Sequence, residues 1–139
     1  MKLQYQLHAV TRAEKILETY NGVFISDVVG LGKTYIGAML AKRLRGRKLI
    51  ISPPVLKENW ERVLWEFDVS AKVESLGKLD SILKMDADSY NYVFIDEAHR
   101  FRNDDNDTYA KLHEICNGKK VVLISATPQN NYISDIANQ

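Results

Sequence analysis

The segment GVFISDVVGLGKTYIGAMLAKRLRGRKLIIS, residues 22–52, is typical of a strand, a glycine-containing loop, a helix and a second strand in succession. GVFIS (22–26) and KLIIS (48–52) are apolar runs of strand length. Between them, residues 34–45 place four apolar side chains on one helical face, namely Ile36, Met39, Leu40 and Leu44. Short, near-continuous apolar strands are typical of a parallel sheet buried on both faces. The segment therefore predicts an α/β fold.

The rest of the chain repeats this alternation of strand and helix. Further strands are predicted over residues 71–75, 90–96 and 120–125. Helices are predicted over 4–20, from Pro53-Pro54 to Phe67 with Ser52 as a cap, over 79–85 and over 107–116. In the first helix the apolar stripe comprises Leu7, Val10, Leu17 and Tyr20. The pattern predicts a mostly parallel central sheet flanked by helices on both faces.

Composition limits the classes of function. A chain of 139 residues has the size of one domain, and 45% hydrophobic residues can build a core. The formal net charge of +1 gives no overall basic field, so a nucleic-acid partner has to be argued from local sites. The single Cys116 excludes an internal disulfide, and the apolar runs are too short to span a bilayer, so we expect no membrane partner.

The loop DVVGLGKT (27–34) has most features of a phosphate-binding loop. Gly30 and Gly32 remove side chains where the backbone has to wrap closely around phosphate. Lys33 is placed to reach the terminal phosphates, and the Thr34 hydroxyl is placed to bind Mg²⁺. The following helix begins at the loop, so its amino terminus favours the anion. Such loops usually open with a glycine, whereas this one opens with Asp27.

A second chemical signal is the strand YVFIDEAH (92–99), which ends in two carboxylates. Because α/β sheets bind ligands at the carboxyl ends of their strands, Asp96 is expected beside the loop. A carboxylate there can hold hydrated Mg²⁺, and the neighbouring Glu97 can orient or deprotonate an attacking water. An isolated Asp-Glu pair would be read as a solvated turn, and the upstream loop favours the functional interpretation.

Three motifs together resemble a known family. DVVGLGKT, IDEAH (95–99) and ISATPQNN (124–131) resemble, in order and spacing, helicase superfamily 2 and its Swi2/Snf2-like, DNA-translocating branch. YQLHAV (5–10) and LIISPPVLKENW (49–60) are similar to further segments of that family. Asp27 fits the family, in which an acidic residue usually opens the loop. Val28 departs from it, because relatives more often carry Glu there.

The resemblance implies a RecA-like P-loop NTPase lobe over residues 1–139, the N-terminal ATP-binding half of a longer two-lobe motor. It implies ATP and Mg²⁺ as cofactors, with Lys33 and Glu97 as catalytic residues and Thr34 and Asp96 as metal ligands. The implied nucleotide-binding residues are Gln6, Asp27, Gly30, Leu31, Gly32, Lys33 and Thr34. It also implies that the strand ending at Ser125 lies between the loop strand and the strand ending at Asp96.

The resemblance also implies partners. Pro53, Pro54, Gly77 and Lys78 would face a nucleic-acid backbone, expected to be double-stranded DNA. His99, Ser125, Ala126 and Thr127 would couple the nucleotide state to that track. A second RecA-like lobe would complete the motor, and the expected location is the cytoplasm, or the nucleus in a eukaryote. The basic run KRLRGRK (42–48) is interpreted as a solvated surface away from the ATP edge.

Two alternatives remain open. A regulatory module could keep the fold and bind nucleotide without turnover, although Lys33, Thr34, Asp96 and Glu97 are all present. A different P-loop NTPase, such as a small-molecule kinase, would be expected to complete its site within one domain and to lack the YQLHAV and SATPQN segments.

Overall fold

The computed structural model describes residues 2–26, 32–84, 89–97 and 106–125, excepting the side chains of residues 2–5 and 106. The strands in these ranges are β1 (Gly22–Ser26), β2 (Lys48–Ser52), β3 (Lys72–Ser75), β4 (Tyr92–Asp96) and β5 (Lys120–Ser125). The helices are α1 (Lys2–Thr19), α2 (Lys33–Arg43), α3 (Lys57–Glu66), α4 (Leu79–Lys84) and α5 (Asn106–Cys116). Short 3₁₀ turns at Pro54–Leu56 and Leu76–Lys78 follow β2 and β3.

The strands form one parallel sheet in the order β1-β5-β4-β2-β3. Strand β5 therefore lies between β1 and β4, which confirms the expected place of the strand ending at Ser125. The register pairs Ser26 with Ser125 and Ile51 with Ile95. With all strands parallel, their carboxyl ends meet at one edge of the sheet.

Alternate residues of the strands pack on opposite faces of the sheet. Ile50, Phe94 and Val122 belong to a core that includes buried residues of α1, α2 and α3. Their neighbours Leu49, Val93 and Val121 belong to a second core with buried residues of α4 and α5. Helices therefore cover both faces, as the continuous apolar runs predicted.

Two local predictions were wrong. The buried stripe of α1 is Val10, Ala13 and Leu17, whereas Leu7 and Tyr20 are exposed. Tyr20 lies beyond the last helical residue, so it does not continue the stripe. Ser52 does not cap a helix: its hydroxyl donates to the carbonyl of Pro53 at 3.1 Å, and a 3₁₀ turn precedes α3.

None of the helices within the described ranges is long and apolar enough to cross a membrane.

Candidate functional site

Polar residues terminate the strands at the carboxyl edge of the sheet. Ser125, Asp96 and Ser52 end three central strands and are all buried. They are three of only four buried polar or charged residues in the described part of the chain, and the fourth is Lys33. Burial of this kind is costly unless the groups are paired, so a cluster of them at the ligand-binding edge indicates a functional site.

Lys33 is the first residue of α2 and is only 9% exposed, which is unusual for a lysine. The helix is capped by the backbone of Gly32, and the amide of Ile36 donates to the carbonyl of Gly32 at 2.8 Å. Gly32 has no side chain that could cap this end of the helix, and the first turn of α2 contains no acidic residue. The first backbone amides of a helix have no partner within it, and together with the helix dipole they favour an anion here, beside the half-buried Thr34.

Asp96 is 3% exposed, and each of its carboxylate oxygens accepts a hydrogen bond. Oδ1 accepts from the backbone N–H of Glu97 at 2.8 Å, and Oδ2 accepts from Nε1 of Trp60 at 2.7 Å. Burial raises the pKa of the Asp96 carboxyl above its ordinary value, and the nearby charge of Glu97 adds to this. The hydrogen bond from Trp60, the Glu97 amide and the positive charge of Lys33 act in the opposite direction. The positive charge of Lys33 therefore favours the ionised form of the Asp96 carboxyl.

Glu97 leaves the strand in a left-handed backbone conformation, with φ of 57°. This conformation is uncommon for a glutamate, and it is incompatible with continuing the extended strand, which ends at Asp96. The same geometry lets the Glu97 amide bond Asp96. The backbone of Glu97 is thus bonded to the side chain of Asp96, with Asp96 buried and Glu97 half-buried.

Trp60 is a site residue that the sequence did not reveal. Its place in the apolar stripe of α3 predicted a buried ring, and the ring is fully buried. Periodicity gives the side of the helix on which a residue lies, but it does not identify the acceptor for an indole N–H. The signal available was indirect, since a buried Trp N–H usually finds a partner and α3 follows the carboxyl end of β2.

The residues expected to face nucleic acid lie at the same edge. Pro53 and Pro54 follow β2, and Gly77 and Lys78 follow β3. Pro53 is buried, whereas Pro54, Gly77 and Lys78 are exposed. Asp27, Gly30, Leu31, His99, Ala126 and Thr127 lie outside the described residues.

Gln6 lies near the beginning of α1 and is half-buried. The other end of α1 is at the amino edge of the sheet, because Nζ of Lys120, which starts β5, donates to the carbonyls of Leu17 and Tyr20 at 2.8 and 3.3 Å. From there the helix runs toward the carboxyl edge, since His8 lines one cleft with Ser26, the last residue of β1. Gln6 is therefore on the side of the molecule that carries Lys33.

The basic run 42–48 lies at the amino edge, as predicted. Lys42 and Arg43 close α2, and Lys48 begins β2. Together with Arg47 and Lys72, Lys42 and Lys48 line an open cleft of about 450 Å³. This cleft is at the opposite end of the strands from Asp96.

The oxygen donors at the carboxyl edge fit a magnesium ion. Each Asp96 oxygen accepts one hydrogen bond, and a carboxylate offers about four lone-pair sites, so acceptor capacity remains for a metal or its water. Within the described residues there is no cluster of three or more His, Cys, Asp or Glu that could hold a metal. A single carboxylate with a hydroxyl suits Mg²⁺, which usually keeps several waters and takes its other ligands from phosphate.

The parallel sheet and the charged edge together define a RecA-like nucleotide-binding lobe. A family profile described as the SNF2-related domain matches residues 61–138. This is more than half of the chain, and the chain belongs to that family.

Proteins of known sequence agree with this assignment. The uncharacterized ATP-dependent helicase YqhH of Bacillus subtilis is 28% identical over 155 residues, covering 94% of this chain and 28% of the relative. Chromodomain-helicase-DNA-binding protein 1-like of Danio rerio is 26% identical, over 91% of this chain and 16% of the relative. The chain therefore spans less than a third of these curated relatives.

Solved structures agree on the fold. The SWI2/SNF2 ATPase core of Sulfolobus solfataricus, determined in complex with double-stranded DNA, superposes with a TM-score of 0.79 at 18% identity. That match covers 96% of this chain and 35% of the solved one. The UvsW helicase of bacteriophage T4 gives a TM-score of 0.66 at 15% identity, over 96% of this chain and 56% of the other.

Proposed function

We propose that this chain is the N-terminal ATP-binding lobe of an ATP-dependent DNA helicase or translocase, in which hydrolysis drives movement on nucleic acid. The observation that carries the proposal is the presence of two buried, oppositely charged residues, Lys33 and Asp96, at the carboxyl edge of a parallel sheet. A buried lysine at a helix amino terminus is suited to phosphate, and a buried carboxylate beside it is suited to the accompanying metal. Membership of the SNF2-related family supports the same conclusion.

The proposed function gives each candidate residue a role in nucleotide binding. The α2 amides, Gly32 and Lys33 bind the phosphates, together with the loop residues Asp27, Gly30 and Leu31, and Gln6 reads the adenine. Thr34 and Asp96 hold Mg²⁺, which supplies charge neutralisation at the phosphate oxygens when it is bound. Glu97 positions or deprotonates the attacking water. Its backbone amide donates to Asp96, so the backbone that carries the base is bonded directly to the proposed metal ligand.

The nucleic-acid track lies across the same edge. Pro54, Gly77 and Lys78 are exposed on turns that follow β2 and β3, and they contact the backbone together with the segment at Pro53. His99, Ser125, Ala126 and Thr127 couple the nucleotide to the track. Double-stranded DNA is the proposed track, because the structurally similar Sulfolobus core was solved with it. A second RecA-like lobe supplies the remaining catalytic groups, and the protein acts in the cytoplasm or nucleus.

The test is DNA-stimulated ATP hydrolysis by the full-length protein. Glu97→Gln removes the base and keeps the side-chain size, so we expect kcat to fall by about 100-fold or more with nucleotide binding retained. Lys33→Ala should reduce both binding and turnover. The matched control is Lys119→Ala, at the amino edge just before β5, which should hydrolyse ATP at the wild-type rate.

The 139-residue chain provides a second arm of this test. In the proposed motor the second lobe supplies an arginine that stabilises the charge on the transferred phosphate, so we expect the DNA-stimulated rate of these 139 residues alone to be at least about 1,000-fold below that of the full-length protein. Undiminished hydrolysis by Glu97→Gln would contradict the proposed role of that residue. Nucleotide binding without hydrolysis in the full-length protein would instead favour the regulatory module.

A further inference from the structure

The hydrogen bond from Trp60 to Asp96 is a contact of the candidate site in which Trp60 has been given no functional role so far. The indole Nε1–H donates to Oδ2 at 2.7 Å, and the bond is buried. The other oxygen, Oδ1, is held at 2.8 Å by the Glu97 amide. With one fixed donor on each oxygen, the carboxylate plane of Asp96 has a defined orientation, and Trp60 is the side chain that sets it.

The indole ring is itself held by the helix that begins at the phosphate loop. A Cβ atom added to Gly37 of α2 would lie 2.7 Å from Cη2 of Trp60 and 3.3 Å from Cδ1 of Ile124. Any side chain at position 37 would therefore collide with the ring. Gly37 allows the ring to pack directly between α2 and β5, so Trp60 links the helix carrying Lys33 and Thr34 to Asp96.

We propose that Trp60 is a positioning residue of the nucleotide site, holding the Asp96 carboxylate in the orientation that binds Mg²⁺. The inference rests on the proposed function, since it assumes that Asp96 meets the metal of a bound nucleotide. Residues that orient a metal ligand through a hydrogen bond typically affect metal affinity by about 10- to 100-fold when they are changed. Trp60 meets the structural requirement, because its Nε1–H donates directly to the expected metal ligand.

The alternative is that Asp96 merely satisfies a buried indole N–H. A purely structural bond predicts that its loss lowers thermal stability and leaves the magnesium dependence of nucleotide binding unchanged. A positioning role predicts a change in magnesium dependence that exceeds any change in magnesium-free nucleotide affinity. The two interpretations therefore separate in a binding experiment that does not require turnover.

The experiment replaces Trp60 by β-(3-benzothienyl)alanine, incorporated at a reassigned stop codon in the 139-residue chain. Sulfur takes the place of N–H, so the ring keeps its shape against Gly37 and loses the donor. Binding of fluorescent ADP is titrated with Mg²⁺ and, separately, in EDTA. We expect the half-saturating Mg²⁺ concentration to rise by about 10- to 100-fold, with nucleotide affinity in EDTA changed by no more than about twofold.

Two controls accompany this substitution. The same analogue at Trp65, which lies on the same helix and is 81% exposed, should bind Mg²⁺ like the wild type. Asp96→Asn defines the signal expected when the metal ligand itself is lost. Melting temperatures of all variants, measured without nucleotide, show that they are folded at the titration temperature.

An unchanged Mg²⁺ titration in the Trp60 analogue, with wild-type protein showing Mg²⁺-dependent binding, would overturn the positioning role and leave the proposed function intact. Absence of Mg²⁺-dependent nucleotide binding in the wild type, together with indifference to Asp96→Asn, would overturn both. Gly37→Ala displaces the ring by a second route: a magnesium defect with nucleotide affinity in EDTA unchanged would support the positioning role, and an unchanged magnesium titration would count against it.

Discussion

Lys33 and Asp96 are charged side chains placed where the surrounding residues are apolar or hydrogen-bonded. Each would be unfavourable alone, since an isolated buried charge is costly. The charge of Lys33 favours the ionised form of Asp96, and the Asp96 oxygens accept hydrogen bonds from the amide of Glu97 and the indole of Trp60. Such sites sacrifice some stability to hold a reactive arrangement before the ligand arrives.

The site residues differ in how far sequence could predict them. Lys33, Thr34, Asp96 and Glu97 lie in short motifs at strand ends, where topology alone determines the edge they share. Trp60 could not be predicted as a site residue, because its partner is 36 residues away and depends on how α3 packs on the sheet. The backbone conformation of Glu97 was equally inaccessible, since glutamate has no preference for positive φ.

Cys116 gives a residue-scale prediction about reactivity. It is fully buried, and burial raises the pKa of its thiol to about 12. Because the thiolate is the nucleophile, we expect iodoacetamide at pH 8 to label the native chain at least about 100-fold more slowly than the urea-unfolded chain. The control is Asn117→Cys in a Cys116→Ala background, which moves the thiol to the next, exposed position and should label rapidly.

The raised pKa of the Cys116 thiol also makes the free energy of unfolding depend on pH. An unfolded thiol ionises near its ordinary pKa of 9.0, whereas the native thiol stays protonated to about 12. The stability contributed by the protonated thiol is therefore complete below pH 9 and lost as pH rises toward 12. In Cys116→Ala this alkaline loss should be smaller. Rapid labelling of native Cys116 at pH 8 would contradict its burial.

At the scale of elements, the strands were predicted more accurately than the helix faces. A strand buried on both sides needs only a continuous apolar run, and four of the five begin and end within one residue of the prediction. The exception is β4, which starts at Tyr92 rather than at residue 90. Tyr90 and Asn91 join a turn instead, since the Arg47 guanidinium stacks on the Tyr90 ring and the Arg47 amide donates to the Asn91 side chain at 2.9 Å.

A side-chain hydrogen-bond donor of the sheet bonds the end of helix α1, and the apolar periodicity of the sequence does not predict this contact. Lys120 donates to the carbonyls of Leu17 and Tyr20, which are among the last carbonyls at that end of the helix. A cation there satisfies unpaired carbonyls and interacts favourably with the helix dipole. The sequence distance of 103 residues between Lys120 and Leu17 makes this a purely tertiary bond.

Lys120→Met keeps most of the alkyl stem and removes the donor, so we expect a loss of about 1 kcal/mol in the free energy of unfolding. Urea unfolding followed by circular dichroism measures it. Lys119→Met is the matched control, because it removes a neighbouring charge without touching α1, and its effect should stay below about 0.5 kcal/mol. Equal losses in the two variants would show that Lys120 does not stabilise the end of α1.

At the scale of the whole molecule, the two edges of the sheet have different characters. The carboxyl edge carries Lys33, Asp96 and Glu97 at the candidate nucleotide site. The amino edge carries a cleft lined by Lys42, Arg47, Lys48 and Lys72. A net charge of +1 conceals this separation, so composition could not indicate where charge is concentrated. The predicted topology could indicate it, because the carboxyl ends of all strands in a parallel sheet lie at the same edge.

The carboxyl edge of this lobe is proposed to bind a nucleotide together with its metal. Titration of the 139-residue chain with a fluorescent ATP analogue, with and without Mg²⁺, tests it most directly. We expect saturable binding that Mg²⁺ strengthens, a loss of about 10-fold or more in Lys33→Ala, and loss of the Mg²⁺ effect in Asp96→Asn. Lys119→Ala should bind like the wild type. Binding that is equal in wild type, Lys33→Ala and Asp96→Asn, with or without Mg²⁺, would contradict the account.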